Sequence, residues 1–386
     1  MNDKLIMEQK IKEYLEVLSK IQSIHYVTKI KVDEDGSITE LNPTPMINME
    51  LPGYVQPFLE NCLKDIDKET LMFLKAYLIK VKKYEFVQKD FDELYLEYLK
   101  GSEENVYVNR TLTLLHGYKL IGGASVEVDG LVIKNLDSES AEYYYNHVYE
   151  GKMALSYNIN DISSIINPKP TLVIEYKSHC EEEVKTKVRG KILNLGKAII
   201  LSNGVINKLG FSPAITYSYF TNIYAKSFFP EFPTVGFKKN VELENIEVIK
   251  RIYKKLDKLD PGLKFIPIDR IYSAHNKNDL EDKFIDLMIA LEASYPSVKA
   301  EVTYRISLYT TKLLNGDKTL FNKVKKLYNL RSDIVHGNKI AKEKMLRSLS
   351  ELESIVLQVA LTGLDYIANN KTLEDMEEDI NKKIFG

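Results

Sequence analysis

Leu327–Tyr328–Asn329–Leu330–Arg331–Ser332–Asp333–Ile334–Val335–His336–Gly337 sets a permanent cation and a titratable imidazole five positions apart in an otherwise apolar helical run. An Arg fork matches phosphate oxygens, and His is the side chain whose unperturbed pKa lets it take and return protons near neutrality. Together they suit phosphodiester chemistry, and burying either without a purpose is costly. The surrounding pattern predicts a helix over 318–335, with apolar rows Leu320–Val324–Leu327 and Phe321–Tyr328–Val335. Extending the first row by four gives Arg331, so the cation follows a buried stripe. His336 lies roughly 500° further round an ideal helix, with Ser332 one turn below it and Asp333 three residues before it. Such a helix offers Arg on one side and a Ser/Asp/His cluster on the next, and Gly337 breaks it just after.

Helices are predicted on both sides of this one. Asn278, with Glu281 three residues on, reads as the N-cap of a helix to Tyr295 whose apolar residues fall on two sides, as in a central helix. A second helix runs over about 298–314. After Gly337, residues 341–369 carry a seven-residue pattern: Met345, Leu352, Val359 and Tyr366 at one position, Leu349, Val356 and Gly363 at the other. That stripe requires a helical neighbour, and four consecutive helices with short connections form a bundle.

The Arg-x4-His spacing inside Leu330–Arg331–Ser332–Asp333–Ile334–Val335–His336–Gly337, the upstream block Asp282–Lys283–Phe284–Ile285–Asp286–Leu287–Met288–Ile289–Ala290–Leu291–Glu292–Ala293 and the intervening Tyr304–Arg305 resemble HEPN domains, most closely the ApeA-like subgroup. The resemblance covers roughly the last third of the chain, residues 265–370. It implies an all-α bundle in which two copies of the motif face each other across a homodimer interface and cleave single-stranded RNA with no metal or other cofactor. Arg331 would then stabilise the phosphorane-like charge, and His336 would act as general acid or base on the 2′-hydroxyl or the leaving 5′-oxygen. Relatives often place Asn, Asp or His after the Arg. Here the position holds Ser332, so assistance from Ser332 or Asp333 is the least defined part of the expectation. Such enzymes serve in anti-phage defence by abortive infection or act as toxins. The alternative is an inactive HEPN module that binds RNA, a nucleotide or a protein partner.

The residues also admit purely structural roles. Arg331 pairs with either Asp333 or Glu292, Glu292 with either Arg305 or Arg331, and His336 stabilises a helix C-terminus. Asp333 either orients the imidazole or pairs with an Arg.

The 386 residues carry a net charge of −2, which argues against a protein that coats nucleic acid over its whole surface. The charge is uneven: residues 311–350 hold ten Lys or Arg against three Asp or Glu, and residues 351–386 hold three against eight. Lys323, Lys325, Lys326, Lys339 and Lys342 are the candidate RNA contacts, although a charge run is also what a solvated helix face looks like. Cys62 and Cys180 build neither a disulfide framework nor a zinc spacing, and the remaining histidines are scattered. With no signal peptide and no membrane-length apolar run, the expected compartment is the cytoplasm.

The first two thirds resemble nothing comparable. The length predicts two or three domains, and the fold class is α+β. Residues 1–104 form an N-terminal helical and mixed region, 105–235 a β-rich module expected to sense a phage-derived or cellular trigger or to restrain the nuclease, and 236–386 the HEPN helical bundle. The N-terminal region opens with a helix over 3–21 and strands around 28–32 and 37–41 joined at Asp35–Gly36. A Pro-punctuated passage follows (Pro43, Pro45, Pro52, Pro57), then helices over 68–81 and 90–99. Extended runs cover 106–115, 124–136, 171–176 and 215–220, and a helix over 181–202, stopped at Gly204, is expected to pack across them. Residues Gly190–Lys197 do not qualify as a phosphate loop, because Ala198 replaces Ser or Thr and no strand leads in. Phe229–Pro230–Glu231–Phe232–Pro233 is the candidate linker.

Overall fold

Among the described residues, strands and helices mix up to residue 242 and helices alone follow from Ile246, an α+β arrangement. The computed structural model describes residues 3–20, 24–32, 34, 37–47, 59, 63, 65–81, 84–104, 107–116, 118–120, 125–138, 140–141, 144, 171–178, 187–204, 210–211, 215–217, 220, 225–226, 241–242, 246–259 and 265–385. The candidate linker at 229–233, Cys62, Cys180, Pro52, Pro57, Pro261–Gly262 and the turn at Asp35–Gly36 lie outside these residues. Two compact units emerge: Met1–Gly190, Gly210–Thr234 and Asn240–Leu243 form the first, and Lys191–Leu209, Val235–Lys239 and Glu244–Gly386 the second.

In the first unit, α1 (Asp3–Ser19) buries the stripe Met7, Ile11, Leu15 and Leu18 in a cluster with Phe73 and Tyr77 of α2 (Lys68–Val81) and Phe91 of α3 (Gln88–Glu104). Strands β1 (Ile24–Val32) and β2 (Ile38–Ile47) pair antiparallel and run longer than their sequence suggests, since Pro43 and Pro45 lie within β2 opposite Thr28 and Tyr26. Prolines two apart present their missing donors to the same edge, and a two-stranded ribbon has an outer edge that needs none.

The sheet is built on β3 (Asn109–His116) and β7 (Thr171–Ser178), antiparallel over eight residue pairs. Beyond β7 come β6 (Leu131–Asn135) and β5 (Val126–Val128). On the other side of β3 lie β9 (Ile215–Tyr217) and β10 (Ala225–Lys226), and β8 (Gly210–Phe211) also pairs with β3. Two short strands, β4 (Tyr118–Lys119) and β11 (Val241–Glu242), pair parallel. The single extended run expected over 124–136 is instead a hairpin. Asp129 and Gly130 both take positive φ, 49° and 77°, as a two-residue primed turn requires.

The second unit is helical: α4 (Arg189–Asn203), α5 (Ile246–Asp257), α6 (Ile266–Asn276), α7 (Leu280–Ala293), α8 (Val302–Leu313), α9 (Lys318–Val335), α10 (Lys342–Ala368) and α11 (Leu373–Phe385). The helix expected across the strands, α4, groups here, with Lys197 meeting Asp269 of α6 at 2.7 Å and Gly204 (φ +85°) ending it. Pro267 does not interrupt a helix. It sits in the first turn of α6, where a missing N–H costs nothing. The cap of α7 is Asp279, not Asn278, and it accepts from the Glu281 and Asp282 amides at 2.8 and 3.0 Å. Helix α7 is the centre of the unit. Its Phe284, Leu287, Met288 and Leu291 are fully buried, and it packs against α6, α9 and α10. Removing one such side chain costs about 2–5 kcal/mol.

Helix α11, beyond the four expected, docks through polar contacts. Glu377 accepts the Ser297 amide at 2.9 Å, Asn381 accepts the Tyr309 hydroxyl at 2.9 Å, and Asp379 accepts that of Tyr366 at 3.0 Å. Burial raises the Glu377 carboxyl above its ordinary 4.5, against the opposite pull of the Ser297 bond and Arg305. The folded protein therefore holds this proton more tightly than the unfolded chain. The associated stability is present below 4.5 and lost as pH rises through the raised value. Glu377→Gln keeps the acceptor without the charge and is expected to raise the thermal midpoint at pH 7 and flatten its pH dependence, whereas a lower midpoint contradicts this account.

Candidate functional site

Helix α9 is started by Asp317, whose carboxylate accepts from the Thr319 and Leu320 amides at 2.8 and 3.3 Å; these bonds hold its carboxyl below the usual range. Val324, Leu327, Tyr328 and Leu330 are buried, and Arg331 takes the next place on that side. The end of the helix is a Schellman turn: His336 is the C-cap, Gly337 (φ +76°) donates to the Ile334 carbonyl at 2.9 Å, and the Asn338 amide reaches back to the Asp333 carbonyl at 3.0 Å. Gly337 is needed because few L-residues adopt that backbone.

Of the two partners that the sequence offers Arg331, the structure selects Glu292 of α7, with Nε 3.6 Å from Oε1. Nε is buried and too far away for a hydrogen bond, yet the side chain keeps 35% of its exposure. Among the described residues the guanidinium has no other partner, so its terminal nitrogens remain available to an anion. The buried Tyr328 hydroxyl lies near the same carboxylate without a hydrogen bond of good geometry, and burial followed by Glu292 pushes its phenol well up.

His336 and Ser332 are exposed, and no hydrogen bond or ion pair of either side chain occurs among the described residues. Asp333 does not orient the imidazole and does not pair with an Arg; it accepts from the Asn338 side-chain amide at 3.2 Å. The other described histidines with resolved surroundings, His116 and His275, are buried, and burial lowers His116 to about 4. Among the described residues, no three His, Cys, Asp or Glu side chains gather to hold a metal ion.

Helices α9 and α10 form an antiparallel hairpin, since Lys323 meets Glu351 at 4.0 Å while Asp333 and Lys344 lie towards the other end. A groove of about 680 Å³ runs along it, lined by Lys318, Lys323, Lys326 and Lys344. Two of the five lysines predicted as RNA contacts, Lys323 and Lys326, are in it. Lys325 points elsewhere on α9, and Lys339 and Lys342 are exposed at the hairpin tip beside His336. Lys318 was missed, although its spacing of four to Asn322 and again to Lys326 is legible in the chain, and Lys344 of the basic run also lines the groove. Arg331 and His336 do not line the groove. No side chain caps the N-terminus of α10 at Ala341, so its first amides face the loop that His336 begins.

No protein family, curated protein or solved structure matches the chain. No helix among the described residues is long and apolar enough to cross a membrane. The arrangement supplies a guanidinium about a third exposed, a solvent-facing imidazole and a basic hairpin, the means of binding an anion and moving a proton. Tyr328→Phe removes a buried hydroxyl that makes no good hydrogen bond, so denaturation should find stability unchanged or raised by up to about 1 kcal/mol. A comparable loss would show that the hydroxyl is bonded to Glu292 after all.

Proposed function

We propose that the protein is a metal-independent endoribonuclease of the HEPN type, acting as a homodimer in anti-phage defence or as a toxin, with the N-terminal unit answering to a phage-derived or cellular trigger. The observation that carries this reading is Arg331: a cation held by one carboxylate at 3.6 Å, with no other partner among the described residues, on the helix whose end presents His336 to solvent. In the reaction, an imidazole takes the proton of a ribose 2′-hydroxyl, and the resulting oxygen attacks the adjacent phosphorus. Charge grows on the non-bridging oxygens, where the guanidinium acts. The bond to the 5′-oxygen breaks and that oxygen receives a proton, leaving a 2′,3′-cyclic phosphate and a 5′-hydroxyl. Two subunits bring two imidazoles, one to accept and one to return a proton.

A second reading, a non-catalytic module that binds RNA, a nucleotide or a protein partner, draws on the same ion pair, since a paired Arg also serves to hold α7 against α9. Induced expression in a bacterial host separates the two. The nuclease reading expects growth arrest by the unsubstituted protein and none by Arg331→Ala or His336→Ala, in line with the roughly 10²–10⁴-fold that a general acid or base contributes. Harmless expression of all three forms supports the binding module, and arrest by all three contradicts both residue assignments.

A further inference from the structure

We propose that the trough between α9 and α10 is a binding track for single-stranded RNA that leads to the hairpin tip carrying His336. The proposal rests on the nuclease reading of that tip and adds to it the path of the strand and two contacts, Lys318 and Lys344, that the motif does not include.

The groove residues extend from Lys318 to Asp333 along α9, fifteen residues or about 22 Å of helix. A strand carries a phosphate about every 3.4 Å when stacked and less often when extended, so the track spans up to about six phosphates. Lys318, Lys326 and Lys344 have no ion pair among the described residues, whereas Lys323 is partly neutralised by Glu351 at 4.0 Å. A second hollow of about 430 Å³, sharing Lys323 and Glu351, continues the trough towards Gln358. At the other end the loop holds His336, Lys339 and Lys342, all exposed, followed by the uncapped start of α10. Lysines therefore accompany the path from the trough to the proton-transfer group, with Asp333 and Glu351 between them.

The lining also selects the type of polyanion. Asn322, Asn329 and Ser348 offer donors and acceptors, and Asp333 offers acceptors alone. Base edges and ribose hydroxyls can meet such groups, whereas a polyphosphate has almost no donor to give a carboxylate. The floor contributes Leu327 and Leu330 with no aromatic residue, so binding relies on charge and hydrogen bonds more than on stacking and should be strongly salt-dependent.

The test uses the full-length chain carrying His336→Ala, so that RNA persists, and a fluorescein-labelled unstructured RNA of about twelve nucleotides, within the range of single-strand sites. Adding Lys318→Gln, Lys326→Gln and Lys344→Gln together is expected to weaken binding on the order of 10- to 100-fold. It should also reduce the slope of log affinity against log salt by about 2, at about 0.7 per lost phosphate contact. Circular dichroism checks that the helices persist, and the same three changes made one at a time replace the triple variant if they do not. Unchanged affinity and slope overturn the track, as does displacement of the RNA by polyglutamate as readily as by unlabelled RNA. Cleavage by the unsubstituted protein is measured separately: its persistence in His336→Ala refutes the nuclease site, while the binding result still judges the groove.

Discussion

A cation on a helix row whose earlier members are buried has to find a counter-charge, and here Glu292 of α7 meets Arg331 of α9 at 3.6 Å. The pair is neither a tight surface bridge nor a fully buried one. Its inner nitrogen is dry and unbonded, while the group as a whole stays a third exposed. Such a geometry fixes the position of the guanidinium without using up its hydrogen-bonding capacity. It also depends on where α9 stops. The left-handed backbone of Gly337 ends the helix one residue after Val335, and this turns His336 outward while Arg331 remains against α7. A helix running a turn further would enclose His336 in regular structure rather than leave it exposed at the turn between two helices.

The electrostatics follow from the same hairpin. Within a chain of nearly neutral overall charge, Lys318, Lys323, Lys326 and Lys344 line the groove between α9 and α10, and Lys339 and Lys342 lie in and just after the loop between them. The acids that follow it along the sequence are used differently: Glu377 and Asp379 hold α11 in place through Ser297 and Tyr366. Local charge, rather than net charge, is what a polyanion meets at this surface.

The parts of the fold that were legible are those where one strong pattern acts alone. Helix α9 over 318–335 and helix α2 over 68–81 have the predicted bounds because a sustained apolar row and a clear stop coincide. Where two signals compete, the reading failed in specific ways. Asp129–Gly130 lies inside an apolar run, so the run concealed the turn. Pro267, a residue that elsewhere breaks a helix, sits in a first turn, which accepts proline. Pro43 and Pro45 were read as punctuation, although an edge strand accepts both. At the site, the spacing placed Arg331 on a buried row, but the choice between Glu292 and Asp333 required the crossing of α7 with α9, which no local pattern encodes. Lys318 was overlooked because a charge run along the chain does not show which lysines share a helical face.

The most direct measurement of the central claim is the chemistry of the ends made when purified protein is incubated with labelled RNA in the presence of a chelator. The account predicts fragments bearing 2′,3′-cyclic phosphate and 5′-hydroxyl termini, formed by the unsubstituted protein and not by His336→Ala. Fragments with 5′-phosphate termini, or cyclic-phosphate products that the His336→Ala protein still forms, would contradict it.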